Sequence, residues 1–452
     1  MEVTVDSMYE SKKIIARLDK LPLSRFHYKM LGINGLAWAF DAFDVGIVTF
    51  IVTALVKDWG LSTGQVGVLL SSGMVGMIVG AFLSGPLADR YGRKAVFKWT
   101  LLIFSIFSLL CAFAWDFTSL VVFRFLVGVG LGGETPVVTS LLGEFIPAKS
   151  RGKVQGLLNC FWAVGWIAAT AVSYYVIPAV GWRWAFVAGA LPALYIWVIR
   201  LHLPESPRWL ASVGRAKEAA DIMQGIEAVV GKTKPIAVIT EMDVEKVMDL
   251  SPRPIGDLFK KKYLKTTVML WLLWFMGMFG YYGLFSWMPT LLVKAGHSMI
   301  QSFQYVLFLQ LAYIPNQILS AYLMDKVGRK KLLVGNLFFS AVAAVIFGIA
   351  MGSQLATVEV ILLGLVTSFF VSGIWGITYT YTPELYPTGI RGTGTSWAST
   401  CSRFGSMSAP LVIGYSLNAI GFAGVYGIVA VAFGIACIAV LTLGVETKGK
   451  TL

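Results

Sequence analysis

Apolar stretches of about 20 residues or more follow one another along this chain, separated by short polar connections. In the first half they cover 30–56, 64–88, 95–115, 119–146, 153–178 and 184–202. In the second they cover 264–293, 300–324, 331–352, 357–385, 393–419 and 423–445. A helix of about 20 residues crosses roughly 30 Å of hydrocarbon, and it satisfies its own backbone where no water can. The pattern therefore predicts an all-α membrane protein with twelve transmembrane helices. It divides into an N-terminal segment (1–29), a six-helix bundle (30–202), a linker (203–263), a second six-helix bundle (264–445) and a tail (446–452).

Composition agrees: 57% of residues are hydrophobic, only 13% are charged, and mean hydropathy is +0.73. Soluble domains carry about a quarter charged residues. The net charge of +13 would suggest nucleic acid in a soluble chain, but its distribution gives another cause. Lys and Arg crowd the N-terminus (Lys12, Lys13, Arg17, Lys20, Arg25, Lys29), the tail and the connections on that side, whereas the opposite connections hold only Lys57, Arg183 and Lys294. By the positive-inside rule both termini face the cytoplasm, and a multi-pass protein of the cell membrane is expected. The N-terminal segment lacks a short apolar core with a small-residue cleavage site, so no cleaved signal peptide is expected. Cys111, Cys160, Cys401 and Cys437 lie inside apolar spans with no metal-ligand spacing and read as core residues.

Two motifs recur. Gly85-Pro-Leu-Ala-Asp89-Arg90-Tyr-Gly92-Arg93-Lys94 after span 2 matches Ser320-Ala-Tyr-Leu-Met-Asp325-Lys326-Val-Gly328-Arg329-Lys330 after span 8. Glu144-x6-Arg151 after span 4 matches Glu384-x6-Arg391 after span 10, at nearly the same offset. Two repeats at one offset imply two halves of the same orientation, an arrangement that places a substrate site between them near mid-membrane. Asp89, Arg90, Arg93, Glu144 and Arg151, with Asp325, Arg329, Glu384 and Arg391, are expected to form gating contacts. An Asp can face a helix N-terminus, and the basic cluster can pair with the Glu of Glu-x6-Arg. These contacts would hold the cytoplasmic side shut and break as the halves rock.

At these residues the whole chain resembles the major facilitator superfamily, which implies that fold and secondary transport. Pro204-Glu205-Ser206-Pro207-Arg208 and Glu446-Thr447-Lys448-Gly449 resemble the sugar-porter and organic-ion branch. Asp41-Ala-Phe-Asp44-Val-Gly and Leu131-Gly-Gly-Glu134-Thr-Pro136 are similar to bacterial niacin permeases, aromatic-acid/proton symporters and the related synaptic-vesicle-glycoprotein-like transporters. The glutamines that sugar porters carry in spans 5 and 7 are absent, which disfavours a hexose.

Charges inside the membrane are functional by default. Asp41 and Asp44 share a helical face, and two such carboxylates in a low dielectric cannot both ionise cheaply. One is expected to hold a proton, Asp44 first and Asp41 second. Glu134 follows the glycine-rich run Gly128, Gly130, Gly132 and Gly133, and can accept a proton or pair with a cation. Arg124 matches the superfamily's span 4 arginine and can tune the carboxylates or serve structure. It lies about 15 Å along the helix from Glu134, too far for a direct pair. Arg403, among small residues in span 11, has the donor fork for a carboxylate; the resemblance implies an anion there, and a fixed salt bridge to Glu134 or Asp44 is the alternative. Aromatic and polar candidates for the cavity wall are Asn159, Trp162, Trp274, Tyr281, Tyr282, Trp375 and Tyr379, which suit an aromatic guest.

The nearest phosphate-loop match, Gly225-x5-Gly231-Lys232-Thr233, has one residue too many between its glycines and no preceding strand. His27, His202 and His297 are isolated. No enzyme, cofactor or metal site is expected. The leading expectation is proton-coupled symport of a small aromatic monocarboxylate such as nicotinate or benzoate by a monomeric chain, whose partners are substrate, protons and lipid, without nucleic acid. Alternatives are a proton-coupled organic cation or drug exchanger, a sugar porter, and a membrane receptor that does not transport.

Overall fold

The computed structural model describes residues 5–147, 150–232, 235, 239–241, 255–353 and 357–448. Nearly everything described is helical. Spans 1 to 5 are Arg25–Trp59, Thr63–Tyr91, Arg93–Ala112, Phe117–Phe145 and Arg151–Val180, and span 6 is Trp182–Ala190 continued by Pro192–His202. In the second half, span 7 is Lys261–Phe285 continued by Met288–Lys294, and span 8 is Met299–Leu311 continued by Tyr313–Val327. Span 9 is Arg329–Gly352 and span 10 is Thr357–Glu384. Spans 11 and 12 form one helical run, Thr388–Leu443, divided at Gly421 (φ 64°, ψ −170°). Among the described residues this gives twelve spans, each within a few residues of the sequence expectation. Polar side chains start three of them: Ser62, Asp116 and Ser298 accept the backbone N–H of Gln65, Ser119 and Gln301, satisfying donors a helix leaves open.

Glycines set the closest packing. Spans 2 and 4 approach backbone to backbone, because a Cβ on Gly76, Gly80, Gly128 or Gly132 would overlap a carbonyl oxygen of the facing helix. Span 1 is buried over 89% of its apolar core, whereas span 6 is buried over only 33% and turns outward.

Spans 1–6 pack mainly on one another, as do spans 7–12. The halves meet at the end remote from the termini, where span 2 crosses span 11 so closely that a Cβ on Gly67 would lie 2.7 Å from Pro410 O. Thr53 and Thr290 hydroxyls are 3.1 Å apart, Ser71 donates to Met407 O at 2.8 Å, and Gln304 donates to the Tyr174 hydroxyl at 2.9 Å.

On the termini side each half is braced internally. Arg93 pairs with Asp89 at 2.9 Å and Glu144 at 3.2 Å. Arg329 pairs with Glu384 at 3.2 Å. Over each following helix lies a carboxylate to which the motif reading assigned no contact: Glu205 accepts the backbone N–H of Arg93 and Lys94, and Glu446 accepts those of Arg329 and Lys330. Gly92 (φ 97°) and Gly328 (φ 102°) are required twice over, since a Cβ there would collide with the carboxylate. The expectation that an Asp faces the helix N-terminus is thus corrected. Asp89 is largely exposed and bonds to Arg93, while Glu205 sits where the backbone N–H groups converge. These contacts also close within a half, so in this conformation they do not bridge the halves. Arg90 lies over the Tyr91 ring, and Arg391 donates to Tyr386 O. The side chains of Arg151 and Asp325 lie outside the described residues.

Three short helices, Val5–Lys20, Pro207–Ser212 and Ala216–Gly231, cover the termini side of the first half. They bury Ile14, Leu18, Leu210, Met223 and Ile226. Arg17 pairs with Glu227 at 2.5 Å; Arg208 pairs with Asp19 at 2.8 Å and donates to Glu144 O at 2.9 Å.

Candidate functional site

A cavity of about 590 Å³ opens between the halves. All eight substrate candidates named from the sequence, Asn159, Trp162, Trp274, Tyr281, Tyr282, Trp375, Tyr379 and Arg403, line it. Helical spacing brings them together. Tyr281 and Tyr282 lie two turns beyond Trp274 on span 7, and Trp375 and Tyr379 are one turn apart on span 10. Their rings lock edge to face, Trp274 on Tyr379 at 5.0 Å and Tyr281 on Trp375 at 5.9 Å between centroids. Trp274 donates to the Thr382 hydroxyl at 3.0 Å, which fixes its plane.

The sequence reading missed Trp38, Met74, Met77 and Tyr313, which share the wall. Trp38 packs on Trp162 at 5.8 Å, and its indole N–H has no partner among the described residues. Its position one turn before Asp41 was the available signal.

Arg403 is the one charged side chain on the wall among the described residues. Ser402 and Ser406 beside it donate to the backbone of their own helix. Among the described residues its guanidinium forms no ion pair, so the fixed salt bridge to Glu134 or Asp44 is not formed. Tyr282, Tyr379 and Asp41 lie within its electrostatic reach.

The acids stand behind the wall, inside the first half. Arg124 Nη1 lies 2.9 Å from Asp44 Oδ1 and 2.8 Å from Oδ2, in a pair buried almost completely. Cys111, Gly189 and Phe186 enclose it. Asp41 is 1% exposed and Glu134 0%, and none of their four carboxyl oxygens has a hydrogen-bond partner among the described residues. They lie within electrostatic reach of each other. Arg124 indeed does not pair with Glu134. Asp44, ranked first from sequence, is held by Arg124, whereas Asp41 and Glu134 have no cation bonded to them among the described residues.

Comparison with known proteins adds the following. The family model described as "Sugar (and other) transporter" matches residues 25–452. The niacin transporter NiaP of Acinetobacter baylyi is 44% identical over 441 residues, which cover 97% of this chain and 98% of that protein. The 4-hydroxybenzoate transporter PcaK of the same organism is 33% identical, covering 87% of this chain and 85% of its own. In fold the chain is similar to the xylose transporter XylE from E. coli in a partially occluded inward open conformation. The TM-score is 0.77 at 18% identity, over 95% of this chain and 100% of that one.

Proposed function

The chain belongs to the family of sugar and other transporters, within the major facilitator superfamily, and on that premise we propose that it carries a small aromatic monocarboxylate together with protons by alternating access. It is a multi-pass membrane transporter and not an enzyme. Arg403 carries the reading. Among the described residues it is a cation at mid-depth without an ion pair, on the wall of a cavity otherwise lined by uncharged side chains, chiefly aromatic, hydroxyl, amide and thioether. Such a group recognises a carboxylate by two-point hydrogen bonding, while Trp274, Trp375 and the tyrosines offer faces and edges to a flat ring. The relatives that carry niacin and 4-hydroxybenzoate by name support nicotinate or a benzoate as cargo.

The residues proposed to carry the proton are Asp41 and Glu134, buried one layer behind the cavity with no hydrogen-bond partner among the described residues, and Asp44 beside Arg124. The Asp44–Arg124 pair holds span 1 against span 4. With the termini in the cytoplasm, as the Lys and Arg distribution supports, the contacts between spans 2 and 11 close the outer side and the cavity faces inward. Asp89, Arg90, Arg93, Glu144 and Arg151, and their counterparts Asp325, Arg329, Glu384 and Arg391, then form latches that exchange partners when the inner side shuts.

Geometry disfavours the cation exchanger, because Asp41, Asp44 and Glu134 do not reach the cavity wall. The test is counterflow of labelled nicotinate or benzoate in proteoliposomes. Exchange that disappears in Arg403→Ala, with acidification outside raising uptake by the wild type, supports the reading. Exchange of organic cations but not of these acids refutes it.

A further inference from the structure

Spans 7 and 11 line the cavity with one face and leave a second hollow behind them. It is a slot of about 360 Å³ lined by Val268, Trp271, Leu272, Phe275, Cys401 and Phe404. None of these residues lines the cavity. Val268 and Phe404 are 41% and 42% exposed, so the slot opens outward to the membrane. Beside Phe275 and Phe404 the two helices touch, because a Cβ on Gly405 would overlap Phe275 O. That crossing makes a blind end near the depth of Arg403. Toward the termini side Trp271 packs on Trp397 at 6.2 Å and on Phe259 at 5.7 Å between centroids, and these rings brace the slot's wall.

Charge and depth say what fills it. Lys261, Lys265, Val268, Leu272 and Phe275 recur at spacings of three and four, which puts them on one face of span 7. Both lysines are exposed. At 1.5 Å per residue, Lys265 lies about 15 Å and Lys261 about 21 Å along the helix from Phe275. Half of the hydrocarbon layer is about 15 Å, so a slot that ends at mid-depth has its lysines at the level of the headgroups. Among the described residues no acid pairs with Lys261 or Lys265, whereas Lys260 next to them is paired with Asp257 at 2.6 Å. With the termini in the cytoplasm, as the Lys and Arg distribution supports, this is the leaflet whose anionic lipids attract basic residues beside a span. We propose that the slot binds one anionic phospholipid of the cytoplasmic leaflet, its phosphate on Lys261 and Lys265 and one acyl chain running between spans 7 and 11 to the blind end at Phe275 and Phe404. A zwitterionic lipid offers the same chain but brings an ammonium to the lysines, so charge selects phosphatidylglycerol over phosphatidylcholine. The chain supports, from the side away from the cavity, the turn of span 11 that carries Arg403. The site is independent of which cargo the cavity takes.

The test uses the full chain in phosphatidylcholine nanodiscs doped with phosphatidylglycerol that carries a photoreactive diazirine on its acyl chain, with adducts mapped by peptide mass spectrometry. Labelling should concentrate on Leu272, Phe275, Cys401 and Phe404 and exceed that of Ile318 and Ile438, which are exposed on spans 8 and 12. The same diazirine on phosphatidylcholine should label the slot no more than those two reference positions. Loss of one lysine should raise the mole fraction of probe needed for half-maximal labelling about fivefold, and Lys261→Gln with Lys265→Gln roughly thirtyfold. Labelling at Ile318 and Ile438 should stay unchanged, and the Lys261→Arg, Lys265→Arg protein should label like the wild type. Labelling spread evenly over slot and reference positions means a passing lipid shell only and overturns the proposal. So does a slot labelled equally by both probes, or labelling indifferent to the paired Gln substitutions. If the Gln protein does not fold, the comparison of the two probes on the wild type decides.

Discussion

Replacing Arg403 by Ala removes the one charged group on the cavity wall among the described residues, and its effect can be scaled from the surroundings. Truncating one partner of a hydrogen-bonded charge pair in a complex costs about 2–5 kcal/mol when the pair is buried. Arg403 is partly exposed to the cavity, so water competes and the lower part of that range applies, about 2–3 kcal/mol. At about 1.4 kcal/mol per factor of ten, nicotinate should bind roughly 30- to 150-fold more weakly. Nicotinamide has the same ring without the charge, so its binding should change less than about threefold on this argument. Arg403→Lys keeps the charge but loses the planar fork and should recover part of the loss. Calorimetry on purified protein, with both ligands against all three proteins, reads these values. Nicotinate affinity in Arg403→Ala within about threefold of wild type would refute the assignment, since among the described residues no other cation lines the site to replace it. So would an equal loss for nicotinamide, which would mean that the pocket had collapsed.

Asp44→Asn leaves Arg124 buried without its counter-ion and should destabilise the fold by about 3–5 kcal/mol, read as a lowered thermal transition in detergent; an unchanged transition would show that water reaches the pair. Gly92→Ala and Gly328→Ala force a side chain into backbone geometry that only glycine adopts and against a carboxylate, and each should cost about 1–3 kcal/mol, seen as a lower transition temperature with ligand selectivity retained. Trp375→Ala should weaken aromatic acids by about 0.5–1.5 kcal/mol, or roughly two- to tenfold, and leave an aliphatic monocarboxylate unaffected in competition assays. Burial pushes the Glu446 carboxyl up, but the N–H groups of Lys448, Arg329, Thr447 and Lys331 outweigh it and hold the group below the usual glutamate range. The stability it adds over Glu446→Gln is therefore present above its unfolded value near 4.5 and disappears as pH falls through the lower folded value; thermal melts of both proteins from pH 7 down to 3 check the sign.

Much of this architecture is legible because lipid imposes a coarse rule on sequence. Every span of the chain shows as an apolar run, and Gly421 falls in the three-residue gap that separates spans 11 and 12. The cavity wall was also legible, since helical spacing alone puts Tyr281 and Tyr282 on the side of Trp274, and the small residues around Arg403 mark a face open to space. Pairings across the bundle were not. Asp44 meets an arginine 80 residues away, and nothing in the local sequence of span 1 tells it apart from Asp41, three positions earlier. Only the packing of span 4 decides which acid gains a cation. Glu205 and Glu446 were visible within their motifs, yet their task over Gly92 and Gly328 depends on where chain ends fold back, which hydrophobic periodicity does not encode.

Those two folded-back carboxylates make each set of six helices mechanically stiff. Arginine, two acids and a helix terminus are tied into one knot on each side of the molecule, at the end farthest from where the two sides touch. A small displacement at mid-depth, such as an anion drawing span 11 toward span 1, is therefore not absorbed by bending. Under the proposed alternating access it would be transmitted as rotation about the close crossing of spans 2 and 11 at Gly67 and Pro410, so that a shift at the ligand would become a larger swing at the mouth.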